Sequence, residues 1–322
     1  MKNQNLIPVF FSCDDNYVPF LSVALESINK NAAKDNIYHF YVLHSGTISL
    51  VNQNRIIKAH KNETTEIEFV DITEHVERIS ERLHTRDYYS KSTYYRLFIP
   101  NLYPEFDKVL YLDSDIVVGG DISNLYHVEL GNNLVGAITD GAVSQVKPFQ
   151  DYVEKRVGVA HHSKYFNAGI LLMNTKRLRE INFEELFFSL LKKVTFTVAQ
   201  DQDYLNAICR DKVTYIDKAW NQMPIDYQDY KDGKPYLVHF NLSFKPWQID
   251  GVPYEEMFWE SAKKSPYYQD ILKIKANYSP ELQKKSAKET EELIKRALEE
   301  SLELEKNFMV DSEIKSVHAL MK

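Results

Sequence analysis

Cysteine is nearly absent: Cys13 and Cys209 are the only two in 322 residues. Two thiols cannot build a disulfide framework or a cysteine-based zinc or iron–sulfur site. Glycine is scarce as well, at 10 residues, so a glycine-rich phosphate loop is not expected. Basic residues do not dominate. The 39 Lys and Arg face 46 Asp and Glu, a formal net charge of -7, which argues against nucleic acid as a default partner. No apolar run reaches the roughly 18 residues a membrane-spanning helix needs. The stretch Leu6 to Phe11, closed by Asp14-Asp15, is too short for a signal-peptide core with its cleavage site. Few cysteines and no export signal point to the cytoplasm, with peripheral attachment to the inner face of a membrane left open. What remains is an ordinary globular composition, 44% hydrophobic and 13% aromatic. The length suits one large domain or a domain with an appendage.

Hydrophobic periodicity predicts the elements. Leu6 to Phe11, Ile37 to Leu43 and Thr65 to Val70 read as strands. Between them, Val18 to Asn29 and Ile48 to Ala59 carry helical spacing, the second with Thr47 as its N-cap. This β-α-β-α-β opening predicts a parallel sheet covered by helices. Lys108 to Leu112, Ile116 to Val118, Leu134 to Thr139, Tyr165 to Asn174 and Tyr236 to Phe240 supply further strands. Phe183 to Val194 and Gln200 to Cys209 read as helices, as does Tyr254 to Lys263. Ser286 to Phe308 reads as a long helix with both signs of charge and an apolar stripe at Leu293, Ala297, Leu298, Ser301 and Leu302. It is not net basic, which favours docking on the body over lying on a membrane.

Ligands of an open parallel sheet sit beyond the carboxyl ends of its strands. Two acid pairs fall at such ends: Asp14-Asp15 after the first strand, and Asp113 and Asp115 after the fourth. Clustered carboxylates are costly unless a cation or hydrogen-bond donors neutralise them, and hard divalent cations take such oxygen ligands. An isolated Asp-x-Asp is equally a self-capped turn. His239 ends a late apolar strand six residues before Lys245. It is either a third ligand or a satisfied core histidine, and Lys245-Pro246-Trp247 is either functional or a packing turn.

The segments 10–17 (FFSCDDNY), 92–97 (STYYRL), 109–118 (VLYLDSDIVV), 165–174 (YFNAGILLMN), 200–206 (QDQDYLN) and 239–247 (HFNLSFKPW) occur in that order. Together they resemble the family-8 retaining glycosyltransferases, a group with the lipopolysaccharide α-galactosyl- and glucosyltransferases and glycogenin. The resemblance covers roughly residues 6 to 250. It implies a GT-A fold: an α/β, Rossmann-like mixed sheet flanked by helices, binding a nucleotide-sugar. On this reading residues 1–250 form the catalytic domain and 251–322 a helical C-terminal extension.

The resemblance further implies a Mn²⁺-dependent UDP-sugar donor and a glycan acceptor on lipid or protein. Asp113, Asp115 and His239 would hold the metal. Ser12, Asp14 and Asn16 would line the uridine and ribose pocket, with Tyr88 or Tyr89 near the base. Ser114 would belong to the donor site. Arg96, Asn167 and Ala168 would contact the donor sugar, Asp201 and Gln202 would flank its hydroxyls and anomeric carbon, and Lys245 would pair with the diphosphate. Each has a plain alternative: Asn167 a strand cap, Asp201 and Asp203 helix-dipole acids, Arg96 a structural ion-pair partner. The family often has Gly three residues after the metal-binding His. Leu242 stands there, and its N–H reaches a diphosphate only at negative φ. Retention through a covalent intermediate would make Gln202 a poor nucleophile, which favours front-face attack. The rival functions are an inactive sugar-binding relative and an Asp-x-Asp phosphohydrolase. The first would have lost the ligands. The second would want a Thr or Ser where Ile116-Val117 follow.

Overall fold

The computed structural model describes residues 5–80, 91–225 and 233–303, together with positions 315 and 319. The strands are β1 (Leu6–Ser12), β2 (Ile37–His44), β3 (Thr65–Asp71), β4 (Val109–Leu112), β5 (Ile116–Val118), β6 (Val135–Thr139), β7 (Phe166–Met173), β8 (Val213–Tyr215) and β9 (Leu237–His239). Seven form one sheet in the order β3-β2-β1-β4-β7-β6-β8, and β5 pairs with β9 in a separate ribbon. The opening strands are parallel, as the alternation of strand and helix requires. β7 runs antiparallel to both its neighbours and makes the sheet mixed. Three-residue β8, parallel to β6, was too short to show a period in the sequence.

The sheet divides two hydrophobic cores, and its pleat decides which residue serves which. Ile7, Val9 and Phe11 face one core with Leu110 and Leu112, while Phe10 faces the other with Val109 and Tyr111. The first core is closed by the helices Val18–Asn31, Glu255–Ala262 and Tyr268–Ala276. The second is closed by Phe183–Lys193, Asp201–Cys209 and the C-terminal helix. Phe258, Ala262, Tyr267 and Ile271 therefore share a core with β1 although they lie beyond residue 250.

Two sequence expectations shift. The second helix is Leu50–His60, and its cap is Ser49, which accepts from the Asn52 N–H; Thr47 lies too far upstream. The C-terminal helix is Pro280–Leu302, capped by Ser279. It begins before Ser286, because Pro280 occupies a first-turn position where its missing N–H costs nothing. Its buried stripe is narrower than the sequence suggested. Ala297 and Ser301 are buried, and Leu293 and Ile294 pack partly on the core. Leu298 and Leu302 are 44% and 65% exposed. At 100° per residue, positions 293, 297 and 301 align, and 298 and 302 rotate away.

Candidate functional site

The site is assembled where the turn after β4 meets two other strands. β4 pairs with β7 so that the Asp113 N–H donates to the Gly169 carbonyl at 2.8 Å. β5 pairs with β9 in a register that sets Ile116 opposite His239. The Asp-Ser-Asp turn is thus held between Gly169 and His239. His239 Nε2 lies 3.1 Å from Asp115 Oδ1 and 3.7 Å from Asp113 Oδ2. One donor atom from each of the three residues falls within 4.8 Å of the others. A side chain at 169 would fill this cradle: a Cβ there would stand 2.4 Å from His239 Cε1 and 2.5 Å from Asp113 Oδ2. Two carboxylates and an imidazole around reserved space suit a divalent cation that prefers oxygen.

Two buried cations face these acids. Lys245 Nζ lies 2.5 Å from Asp115 Oδ2 and donates also to the Phe240 carbonyl. Burial by itself would raise the Asp115 carboxyl, but Lys245 and His239 outweigh it and hold it far below the usual carboxylate range. Arg96 reaches Asp113 Oδ1 at 3.2 Å and Asp201 Oδ2 at 3.1 Å, lies over the Tyr111 ring and donates to the Ala168 carbonyl. Asp201 is pushed up to about 6 by its burial, with Arg96 pulling the other way.

Behind the three potential ligands runs a chain of amides. His239 Nδ1 lies 3.2 Å from Asn221 Oδ1, and Asn221 Nδ2 donates to Asn167 Oδ1 at 3.1 Å. With Nδ1 turned to that amide oxygen, Nε2 is the ring nitrogen that faces the acids. Asn167 Nδ2 donates to Asp140 Oδ2 and to Gln202 Oε1, and Gln202 Oε1 accepts also from the Ala168 N–H at 2.9 Å. Gln202 Nε2 donates to Asp140 Oδ2. Gln202 is therefore clamped at both ends of its amide.

A cleft of about 790 Å³ opens over the turn. Ser12, Asp14, Arg96, Asp113, Ser114 and Asp115 line it. Ser114 Oγ donates to the Ser12 carbonyl. Asp14 accepts from the Asn16 and Tyr17 N–H groups in the turn that precedes the first helix, and Asp15 accepts from Ser49 and Asn52. The Asp14-Asp15 pair shares the sheet edge with Asp113 and Asp115, yet its carboxylates take these nearby donors and it stands outside the ligand cluster. Asn16 is exposed. Tyr88 and Tyr89 lie outside the described residues. Leu242 lines the cleft at φ +51°. The negative φ anticipated for an N–H contact is not adopted: Leu242 takes the left-handed backbone a glycine would take.

Residues 8–251 match the sequence profile of Glycosyl transferase family 8. The chain belongs to glycosyl transferase family 8. Its relatives include a Haemophilus influenzae protein named as a glycosyltransferase, 31% identical over 68% of this chain and 64% of that protein. Another is the Escherichia coli lipopolysaccharide 1,2-glucosyltransferase, 24% identical over 84% of this chain and 81% of that one. Among solved structures, the galactosyltransferase LgtC with donor and acceptor sugar analogues superposes at a TM-score of 0.69. It is 29% identical, with 81% of this chain and 96% of that chain covered. The bifunctional glycosyltransferase WbbM superposes at 0.72 and 28% identity, over 86% of this chain and 53% of that one. The chain thus spans about half of WbbM and just under two thirds of the Haemophilus protein. The mixed sheet flanked by helices is the GT-A fold.

Three further residues of this family-8 chain belong to the site without standing out in its sequence: Asp140, Asn221 and Gly169. Asp140 directly follows β6 and could have been found as a further acid at the carboxyl end of a strand. Asn221 lies in no periodic segment, and only the fold carries it to His239. Gly169 was visible inside an apolar strand, where an isolated glycine signals close approach of something else.

Proposed function

We propose that this chain is a divalent-metal-dependent, retaining hexosyltransferase that moves galactose or glucose from a UDP-sugar to a glycan acceptor on lipid or protein. The observation that carries the reading is the convergence of Asp113, Asp115 and His239 beside Lys245 in a cleft. An inactive relative would have no reason to keep this cluster. Asp113, Asp115 and His239 would hold the ion, Mn²⁺ by the resemblance, and a cation there supplies Lewis-acid stabilisation of the departing diphosphate.

The remaining roles belong to the chain's own residues. Lys245 would add positive charge to the leaving group. Ser12, Asp14, Asn16 and Ser114 would border the nucleoside, with Tyr88 or Tyr89 at the base. Arg96, Asn167, Ala168 and Asp201 would orient the sugar. Gln202, clamped by Asp140, Asn167 and Ala168, would present a fixed dipole near the anomeric carbon. In the front-face route the bond from the anomeric carbon to the phosphate oxygen breaks and a bond to the acceptor oxygen forms on the same face. The acceptor proton passes to the leaving phosphate oxygen. Residues 1–250 would carry catalysis, and 251–322 would form a helical extension sharing its core. A UDP-sugar donor and few cysteines fit a cytoplasmic site at the inner membrane face.

Asp115→Asn should lower transfer on the order of 10²–10³-fold with the circular dichroism spectrum unchanged. Exhaustive chelation should abolish transfer, and Mn²⁺ should restore it. Turnover of the variant at the wild-type rate, or activity indifferent to chelation, would overturn the metal assignment. Calorimetry with UDP-galactose, UDP-glucose and UDP-N-acetylglucosamine in Mn²⁺ would identify the donor.

A further inference from the structure

A second group of metal-ligating side chains lies apart from the acidic turn, on the segment that leads into β7. Glu154 sits on a single π-helical turn, Val153–Val157, which Gly158 ends at φ +83°. The chain then turns back so that His161 and the 3-10 turn His162–Lys164 lie against that helix. Glu154 Oε1 accepts from the His162 backbone N–H at 2.9 Å and lies 2.8 Å from His162 Nδ1. The His161 and His162 rings are 4.1 Å apart between centroids. One ligand atom from each of Glu154, His161 and His162 lies within 4.8 Å of the other two.

We propose that Glu154, His161 and His162 form a second divalent-cation site, suited to Zn²⁺ and distinct from the acidic centre. An ordinary ion pair accounts for Glu154 and His162, and His161 Nδ1 accepts from the Ser163 N–H, but neither contact requires the two imidazole rings to lie 4.1 Å apart. A metal ion takes both imidazoles as ligands in the neutral form. Two imidazoles with one carboxylate are a zinc set, with a fourth position open to water. Asp113, Asp115 and His239 reverse that ratio and favour harder cations. Glu154 and His162 are half-buried and His161 is exposed, which gives the ion a path from solvent. An ion bound here would tie the π turn to the start of β7, the strand that carries Asn167 and Gly169.

The test is calorimetric titration of zinc chloride into the full chain in an Asp113→Asn, Asp115→Asn background, which removes the acidic centre. One Zn²⁺ per chain should bind, with Mn²⁺ binding far more weakly, and zinc-edge X-ray absorption should show two imidazole ligands. His161→Asn and His162→Ala should each weaken Zn²⁺ binding at least tenfold. Asn at 161 retains an acceptor for the Ser163 N–H that His161 now caps, so this variant should fold. If the background carrying both Asn substitutions melts early, the same histidine variants are compared in the wild-type chain by the number of zinc ions bound, which should fall by one. No zinc uptake by the background protein, or undiminished uptake by His161→Asn, would overturn the proposal.

Discussion

Gly169 shows how one residue can hold open a site to which it contributes no side chain. It gives the carbonyl that receives the Asp113 N–H, and its missing Cβ leaves the space between His239 and Asp113. Gly169→Ala should therefore strike the site more than the fold. We expect an overpacking cost of about 1–3 kcal/mol and a loss of Mn²⁺ affinity larger than that of a control such as Gly131→Ala. Gly131 has nothing within 4 Å of its virtual Cβ, although its positive φ costs some strain. Equal metal affinity in Gly169→Ala and wild type, by calorimetry, would show that the cradle plays no part. Leu242 is the opposite case, a branched residue in left-handed backbone with an exposed side chain. Releasing it by Leu242→Gly should be stabilising by about 0.5–1 kcal/mol, the left-handed strain exceeding the entropy glycine adds to the unfolded chain. Urea unfolding measures this, and a net loss of stability would contradict it.

At the scale of elements, the C-terminal helix is docked by a few contacts. Ala297 is fully buried against the body, Arg156 Nε meets Glu300 Oε2 at 3.0 Å, and Thr197 Oγ1 donates to Glu300 Oε1 at 2.8 Å. The same helix lends Lys285, Lys288 and Leu293 to the wall of the cleft. Ala297→Glu would place an unpaired charge in that contact, and undocking would be cheaper than burying it. Amide exchange over 280–302 should then accelerate while β1 and β4 stay protected. Leu298→Glu, on the exposed side, should leave exchange unchanged and alter stability by no more than about 0.5 kcal/mol. Matching behaviour of the two variants would show that the stripe inferred from the sequence, with Leu298 inside it, was right after all. Periodicity located this helix but blurred its face, because neighbouring apolar residues differ by 100° and only the partner surface selects among them.

At the scale of the whole molecule, buried acids set a pH dependence. Asp203 is buried, which pushes its carboxyl up to about 7 even though Tyr165 Oη, Tyr152 Oη and the Ala199 N–H all donate to it. In the unfolded chain it titrates near roughly 3.9. Between about pH 4 and 7 the folded state thus keeps a proton that the unfolded state has released, and stability falls as pH rises, by at most about 1.4 kcal/mol per pH unit for this group. Asp201, raised to about 6, acts with the same sign. Asp203→Asn should flatten this part of the profile, measured as unfolding free energy at pH 5 and pH 7.5. A slope equal to wild type would mean that Asp203 is ionised throughout.

The sequence by itself determined the strands with a clear period, the order of the motifs, and Asp113, Asp115, His239 and Lys245 as candidate site residues. Those properties are local: a buried strand needs apolar residues in a row, and a hard cation needs carboxylates. Tertiary structure decided what depends on partners distant in the chain. It reversed β7, set Ile116 beside His239, and gave His239 its Asn221 partner. It also bound Asp14 and Asp15 to nearby N–H donors while bringing Asp113 and Asp115 beside His239. Both pairs read alike in sequence, since nothing in a side chain's identity records which backbone N–H or cation the fold will bring within 3 Å of it.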